Sequence, residues 1–391
     1  MQMNELKTVA IIVGIFLIAY FIPLDSVRVQ SAILASFSLL QEYAREHVLF
    51  CLIPAFFIAG AMQNFISSQS VMQYLGKGAK RWTAYLVAAV SGAVLAVCSC
   101  TILPLFMGIY KRGAGLGPAA TFLYSGPAIN VLAIILTARV LGWRMGLARA
   151  IGAVLFALVI GLIMALLFRG EEEERQRGFA QAPTVEMGRT PGQTAAYFAT
   201  LIGILVFAAW GKPSDTSGFW HNVFTVKWYL VAALLAFLAY QLIAWFEKDE
   251  LSSWMSSTWS FAKQVLPLLM GGVMISGFLM GTPGVDNGVI PANLISSAVG
   301  GNSFGANLSA SVVGALMYFA TLTEVPIMQS LIGSGMGQGP ALALLLAGPA
   351  LSLPSMLVIN SVLGTKKTLV YILLVVAAAT ISGILFGAFA V

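Results

Sequence analysis

Residues 98–128 read CSCTILPLFMGIYKRGAGLGPAATFLYSGPA, and residues 320–350 read ATLTEVPIMQSLIGSGMGQGPALALLLAGPA. A gapless shift of 222 residues, from 98 to 320, lays the second stretch on the first. Thr101 then falls on Thr323, Pro104 on Pro326, and Gly113, Gly115, Gly117 and Pro118 on Gly335, Gly337, Gly339 and Pro340. Gly126-Pro127-Ala128 falls on Gly348-Pro349-Ala350, and further on Val140-Leu141-Gly142 falls on Val362-Leu363-Gly364. Apolar segments interrupted by Gly and Pro at matching places in two halves are a mark of transporters, whose substrate sites lie at such interruptions.

The surrounding composition fixes the solvent. Of 391 residues, 59% are hydrophobic and 9% charged, against about 25% charged in soluble domains, and the mean hydropathy is +0.89. So much apolar surface cannot be hidden in a water-soluble core. Stretches near the roughly 20 residues a helix needs to span are Thr8–Pro23, His47–Ile66, Thr83–Tyr110, Pro118–Ala138, Met145–Phe168, Thr194–Trp210, Val226–Phe246, Phe261–Gly281, Ala306–Ile332, Pro340–Asn360 and Thr368–Ala390. The sixth is short. β-Barrel alternation is absent, so the expectation is an all-α, polytopic transmembrane bundle built from two related halves with broken helices. The halves are expected at residues 1–168 and 194–391, joined by a polar linker at 169–193. Thr8–Ile22 reads as an uncleaved first span, since no small-residue cleavage site follows it. The expected location is the inner (cytoplasmic) membrane. Positive charge flanks both ends of Thr83–Tyr110, so orientation, and whether the halves are parallel or inverted, stays open.

The net charge of +6 is explained by basic residues in short loops facing anionic headgroups. No basic patch is interleaved with stacking aromatics, so nucleic acid is not an expected partner; the lipid bilayer and a small-molecule or ion substrate are. Self-association into a homo-oligomer stays open. The Glu171–Glu174 run reads as a hydrated stretch of like charges. Two histidines, His47 and His221, are too scattered for a metal site, and neither a metal nor a cofactor is expected. No Walker A spacing occurs; Gly333-Ser-Gly-Met-Gly-Gln-Gly reads as an inter-span turn. A transporter, not an enzyme, is the expected class, driven by a gradient or a partner.

Candidate chemistry gathers at the interruptions. Pro104 and Pro326 each deprive a helix of one hydrogen bond, and Pro127 and Pro349 mark matched breaks at Gly-Pro-Ala. If the chain is unwound near Pro104, Cys98 and Cys100 share one face and present two sulfurs, with the Thr101 hydroxyl beside them. Paired thiolates suit soft metals and metalloids; the alternative is that they are small packed residues. A disulfide across one intervening residue is strained, so both read as free thiols, as does Cys51. Glu324, where the first copy has Ile102, is the acidic residue deep in a span, and such groups are functional by default; a proton-coupling role is expected, with capping of the broken helix as the structural alternative. Asn130 and Ser352 share a repeat position after Gly-Pro-Ala and are expected to line the substrate path. Asn64 and Asn360, at span ends or within spans, read either as interhelical contacts or as cavity lining.

Cys98-Ser-Cys-Thr-Ile-Leu-Pro104, Gly126-Pro-Ala-Ile-Asn130 and Gly348-Pro-Ala-Leu-Ser-Leu-Pro354 resemble the ArsP-like permease family from Cys51 to the C-terminus, with the linker as the variable part. The resemblance implies a polytopic permease, with export of trivalent organoarsenicals as the activity of characterised members and Cys98 and Cys100 as the metalloid ligands. This chain departs from the pattern in having Val131, not proline, after Asn130. A transporter of another small anion or metal ion with structural cysteines, and a non-transporting membrane subunit, remain as alternatives.

Overall fold

A computed structural model of the chain describes residues 23–65, 80–95, 99–129, 131–180, 189–210, 219–282, 285–291, 298–317, 324–333 and 335–389, together with Val13, Phe16, Tyr20, Phe21 and Leu75. Among these residues the regular structure is helical apart from one isolated bridge, Gly300 to Met336. Cys98 and Asn130 lie outside the described residues, as do the side chains of Cys51, Cys100 and Pro326.

The helices are α1 (Val27–Tyr43), a π-helical segment (Ala44–Leu52), α2 (Ile53–Phe65), α3 (Arg81–Leu95), α4 (Ser99–Lys111), α5 (Leu116–Ala128), α6 (Val131–Val140), α7 (Trp143–Leu167) and α8 (Arg169–Ala180). They continue with α9 (Pro191–Ala208), α10 (Phe219–Trp245), α11 (Lys248–Met280), α12 (Phe304–Leu316), α13 (Glu324–Gly333), α14 (Gln338–Ala350), α15 (Leu353–Leu363) and α16 (Thr365–Phe389). Four are long and apolar enough to cross a membrane: α7, α10 from His221, α11 and α16. Three bent pairs pass the same test together, raising the number to as many as seven. Helices are the expected solution, because the hydrocarbon interior leaves backbone groups no partner but each other.

The shift of 222 residues holds element by element. It carries α5, α6, α7 and their turns onto α14, α15 and α16, and α3 onto α12. The turn after α4 shows the physical cause. Gly113 has φ +99°, a conformation side chains rarely adopt. It donates its N–H to the Tyr110 carbonyl at 3.1 Å, and Ala114 donates to Ile109 at 3.1 Å. That pair of bonds is the Schellman ending, which needs glycine in its left-handed position. The second copy repeats it: Gly335 has φ +102° and donates to Ile332 at 3.0 Å, while Met336 donates to Leu331 at 3.0 Å. Each turn is thus fixed by paired bonds.

The Gly-Pro-Ala sites are true breaks. α5 ends one residue after Pro127 and the chain turns by 45°; α14 ends one residue after Pro349 and turns by 49°. In the second copy Ser352 opens the next limb as its N-cap, accepting from the Ser355 N–H at 3.3 Å. Pro104 behaves differently from the expectation. α4 runs through it without ending, since one missing hydrogen bond is tolerated where packed neighbours hold the turn, and residues 101–110 are all buried. Pro326 stands in α13, described from Glu324 onward, and the residues just before Glu324 lie outside the described residues.

Two further features depart from the sequence reading. α1 is a helix that no apolar run announces; its buried Ala32, Ala35, Ser36, Leu39 and Tyr43 recur at helical spacing and pack on α11. The charged stretch after α7 begins as a helix, α8, with one face in use. Arg175 donates to the carbonyls of Tyr110, at 2.8 Å, and Ala114, and its guanidinium lies 3.9 Å from the Tyr110 ring centre. Glu172 accepts the Leu116 N–H at 3.2 Å, a carboxylate at the start of α5, where the helix dipole favours it. α8 therefore fastens the first-copy turn.

Candidate transport site

The contacts between the two copies are largely reciprocal, in the pattern of a local two-fold. α4 of the first copy lies on α15 of the second, and α13 of the second lies on α6 of the first. α5 meets α14, and α7 meets α16. α4 and α13 therefore each rest on the second limb of the other copy's bent pair.

At this interface stands a buried ion pair. Glu324 opens α13 and is 1% exposed; Arg149, on α7, is fully buried. Arg149 Nη2 donates to Glu324 Oε1. Its Nη1 donates to Thr137 Oγ1 on α6 at 2.9 Å, and that hydroxyl donates to the Ala133 carbonyl at 2.6 Å. The pair joins the first copy's α7 and α6 to the second copy's α13. Removing ions from water costs several kcal/mol each, which their attraction offsets only with good geometry and extra hydrogen bonds. A glycine on α7 lets the helices come close. A Cβ on Gly152, one turn beyond Arg149, would lie 3.2 Å from Leu346 of α14.

The expected site residues distribute as follows. Glu324 is buried in α13, and the partner that sequence reading passes over is Arg149. Met145–Phe168 reads as a plain apolar span, and the available signal is the solitary cation within it, since intramembrane charges pair. Thr101 is fully buried in the first turn of α4. Ser352 is 2% exposed and engaged with Ser355, Oγ to Oγ at 2.7 Å, so it caps a helix as well as standing at the break. α4 and α15 being in contact, Thr101 and Ser352 belong to one side of the two-fold, and Glu324 with α6 to the other. Cys98 and Asn130 fall outside the described residues, and the two sulfurs therefore have no geometry to report.

The polytopic helical bundle, duplicated around interrupted helices with an ion pair buried between the copies, defines an integral membrane protein of transporter type. The comparison with known families then narrows it. The profile of the ArsP_1 family, described as "Predicted permease", matches residues 33–388, and the chain belongs to this family. It is 45% identical over 348 residues to the UPF0718 protein MJ0584 of Methanocaldococcus jannaschii, covering 88% of this chain and 93% of that one. It is 25% identical over 296 residues to the UPF0718 protein YraQ of Escherichia coli, covering 75% of this chain and 64% of that one. No solved structure matches it significantly. The protein is a multi-pass membrane permease.

Proposed function

We propose that this permease is a secondary transporter that exports a thiol-reactive metalloid, a trivalent arsenical or organoarsenical, by alternating access across the cytoplasmic membrane. In this reading Cys98 and Cys100 hold the cargo through sulfur, Thr101, Asn130 and Ser352 line its path, and Glu324 carries the coupling proton. The observation that supports it best is the burial of Glu324 at the inter-copy contact. Relative rocking of repeat halves about a central site is how such folds alternate access. An ionisable group whose partner belongs to the opposite copy feels that motion directly.

The test is resistance of a sensitive cell expressing the chain to arsenite, methylarsenite and antimonite. Cys98→Ser and Cys100→Ser are each expected to abolish resistance at unchanged membrane abundance. Full resistance in the double serine variant overturns the thiol role. A second reading, transport of a small anion with cysteines that only pack, is favoured by one observation, the fully buried Arg149.

A further inference from the structure

α7 and α16 occupy matching places in the two copies, and they lie side by side in opposite directions. Lys367, near the start of α16, holds its ammonium 5.7 Å from the ring centre of Phe168, just past the end of α7, and meets Glu171 at 3.1 Å. Further back along α7, a Cβ on Gly152 would lie 3.9 Å from Ser382 Oγ, late in α16. Residue numbers fall along one helix as they rise along the other, so the pair is antiparallel. Copies whose matched helices run in opposite directions are related by an axis in the membrane plane, the inverted-topology arrangement.

Inversion fixes where each turn lies. Arg175 and Glu172 of α8, which follows α7, fasten the Gly113 turn, so that turn is at the face where α7 ends. The Gly335 turn is at the other face. Beside it a Cβ on Gly339 would lie 2.5 Å from the Gly383 carbonyl oxygen, and the Asn302 amide donates to the Ile384 carbonyl at 3.2 Å, both late in α16. α16 has 25 residues, about 37 Å of helix, which sets the two turns a bilayer apart.

The helices before each turn enter and leave by one face. α3 runs with α5: a Cβ on Gly117, at the start of α5, would strike the Tyr85 hydroxyl, and Ser125, near its end, donates to the Ala88 carbonyl at 3.4 Å. α4 runs against α5, with Ile102 beside Gly126 and Tyr110 at the turn. Leu95 and Ser99 are joined by residues 96–98, outside the described residues, a link of at most about 14 Å. α3 and α4 have 15 and 13 residues, about 20 Å each, short of the roughly 30 Å hydrocarbon layer. They form a re-entrant hairpin. In the second copy α12 likewise runs with α14, where added Cβ atoms on Gly339 and Gly314 would lie 3.0 Å from Asn307 Oδ1 and 3.2 Å from Leu344. α13, which carries Glu324, comes back to the Gly335 turn.

The first hairpin accounts for the positive charge at both ends of Thr83–Tyr110: Lys80 before α3 and Lys111 and Arg112 at the end of α4 lie on one face. Arg175 and Arg177 of α8 and the Lys366–Lys367 pair share that face. The opposite face has Arg139 and Arg144 around the α6–α7 turn, while residues 330–340 and 382–391 carry no charge. Basic residues collect on the cytoplasmic side, which assigns the α8 face to the cytoplasm.

We propose that the two copies are inverted and that each sends a re-entrant hairpin to mid-membrane, α3–α4 from the cytoplasm and α12–α13 from outside, each walling one half of the transport path. α4 rests on α15 in the cytoplasmic half, and α13 rests on α6 in the outer half. The proposal rests on the permease class and goes beyond the metalloid reading, because it holds for any cargo.

The test is labelling of single introduced cysteines by a membrane-impermeant maleimide, in intact cells and in everted vesicles. The unsubstituted chain supplies the background from Cys51, Cys98 and Cys100. Arg144 and Lys366 are matched by the shift of 222 residues. Arg144→Cys should label in cells and lose its labelling in vesicles; Lys366→Cys should do the reverse. Lys80→Cys and Lys111→Cys should both label in vesicles only, and Gly305→Cys and Gln338→Cys both in cells only. Labelling after denaturation in detergent shows that each variant is present. Where Arg144→Cys or Lys366→Cys reacts from neither face, the exposed and likewise matched Trp143 and Thr365 take their place. Matched positions on the same face make the repeats parallel and overturn the proposal. A split between the Lys80 and Lys111 variants, or between the Gly305 and Gln338 variants, makes that segment a crossing span and overturns its hairpin. Reversal of every face overturns the cytoplasmic assignment. No resistance is read, so failure here leaves the thiol reading untouched, and loss of the thiol reading leaves these faces as they are.

Discussion

The two copies share a backbone and differ in chemistry. Their turns close with the same bonds and with glycines in the same left-handed conformation, and their bent pairs turn by 45° and 49°. Yet Ile102 in the first copy stands where the second has Glu324, and Arg149 stands where the second has Tyr371. Thr137, which holds the arginine, corresponds to Ile359. One inter-copy contact is therefore ionic, while the positions that correspond to its two members hold isoleucine and tyrosine. The difference teaches that duplication supplied the scaffold, and that polar function was then placed on one side of the two-fold, with one charge from each copy so that neither copy carries the site alone.

The largest effect should come from breaking that asymmetry on one side. Arg149→Met leaves Glu324 buried without its counter-charge, and loss of one member of a buried pair costs about 3–5 kcal/mol. Thermal unfolding in detergent should show it. Tyr371→Phe, at the matched position, should cost nothing and gain up to about 1–3 kcal/mol, because it removes a buried hydroxyl that has no partner. Arg149→Met with Glu324→Leu together should recover most of the loss, since an apolar pair of similar volume is often neutral or better. Equal losses at Arg149 and Tyr371 would show that the two sides of the two-fold are equivalent after all.

Packing between α4 and α5 gives the next effect. A Cβ on Gly126 would lie 2.6 Å from Ile102 Cδ1, so Gly126→Ala should cost about 1–3 kcal/mol by overpacking. Ile102→Val removes the offending methyl, and in a double-mutant cycle the two changes should be coupled. Additive losses would mean that the isoleucine, the counterpart of Glu324, is not what confines α5.

The turns offer a smaller contrast. Gly113→Ala and Gly335→Ala each force a side chain into the left-handed region, at roughly 1–2 kcal/mol. The Gly335 site has nothing within 4 Å of an added Cβ, so strain alone acts there. The first-copy turn is also held by Arg175 and Glu172. Hydrogen exchange after Arg175→Ala should rise at residues 110–116 and stay unchanged at 332–338. Matched increases in both turns would show that α8 steadies the whole bundle and not one turn.

How much of this was written in the chain differs from residue to residue. Gly113, Gly335 and the Gly-Pro-Ala breaks are legible because local backbone chemistry demands those residues, and the same demand appears twice. Glu324 is legible because a carboxylate in an apolar run has few structural excuses. Arg149 is visible as a letter but not as a partner, because which cation meets Glu324 depends on α7 and α13 packing across a two-fold that no local pattern encodes. Pro104 misleads for the opposite reason. A proline predicts a lost hydrogen bond, and whether the helix ends there is decided by its buried neighbours. In α8 the run of glutamates hides the 172, 175, 176 spacing that turns one face toward the bundle.

The weakest link between the copies is electrostatic and lies outside the hydrocarbon. Glu171, beyond the end of α7, meets Lys367 at 3.1 Å and Lys366 at 3.5 Å at the start of α16. The hydrogen bond from Lys367, then its charge, holds the Glu171 carboxyl below the ordinary glutamate value of 4.5. A carboxyl with a depressed folded-state value stabilises the protein above its unfolded value and loses that contribution as pH falls through the folded one. The effect therefore appears only on acidification below about 4.5. Glu171 is solvent-exposed, so salt should screen the pair. NMR titration of the Glu171 carboxyl should give a midpoint below 4.5 at low salt, rising toward that value in 1 M salt or in Lys367→Met. A midpoint unmoved by either change would remove this contact from the links between the copies, leaving the buried Arg149–Glu324 pair to tie α7 to α13.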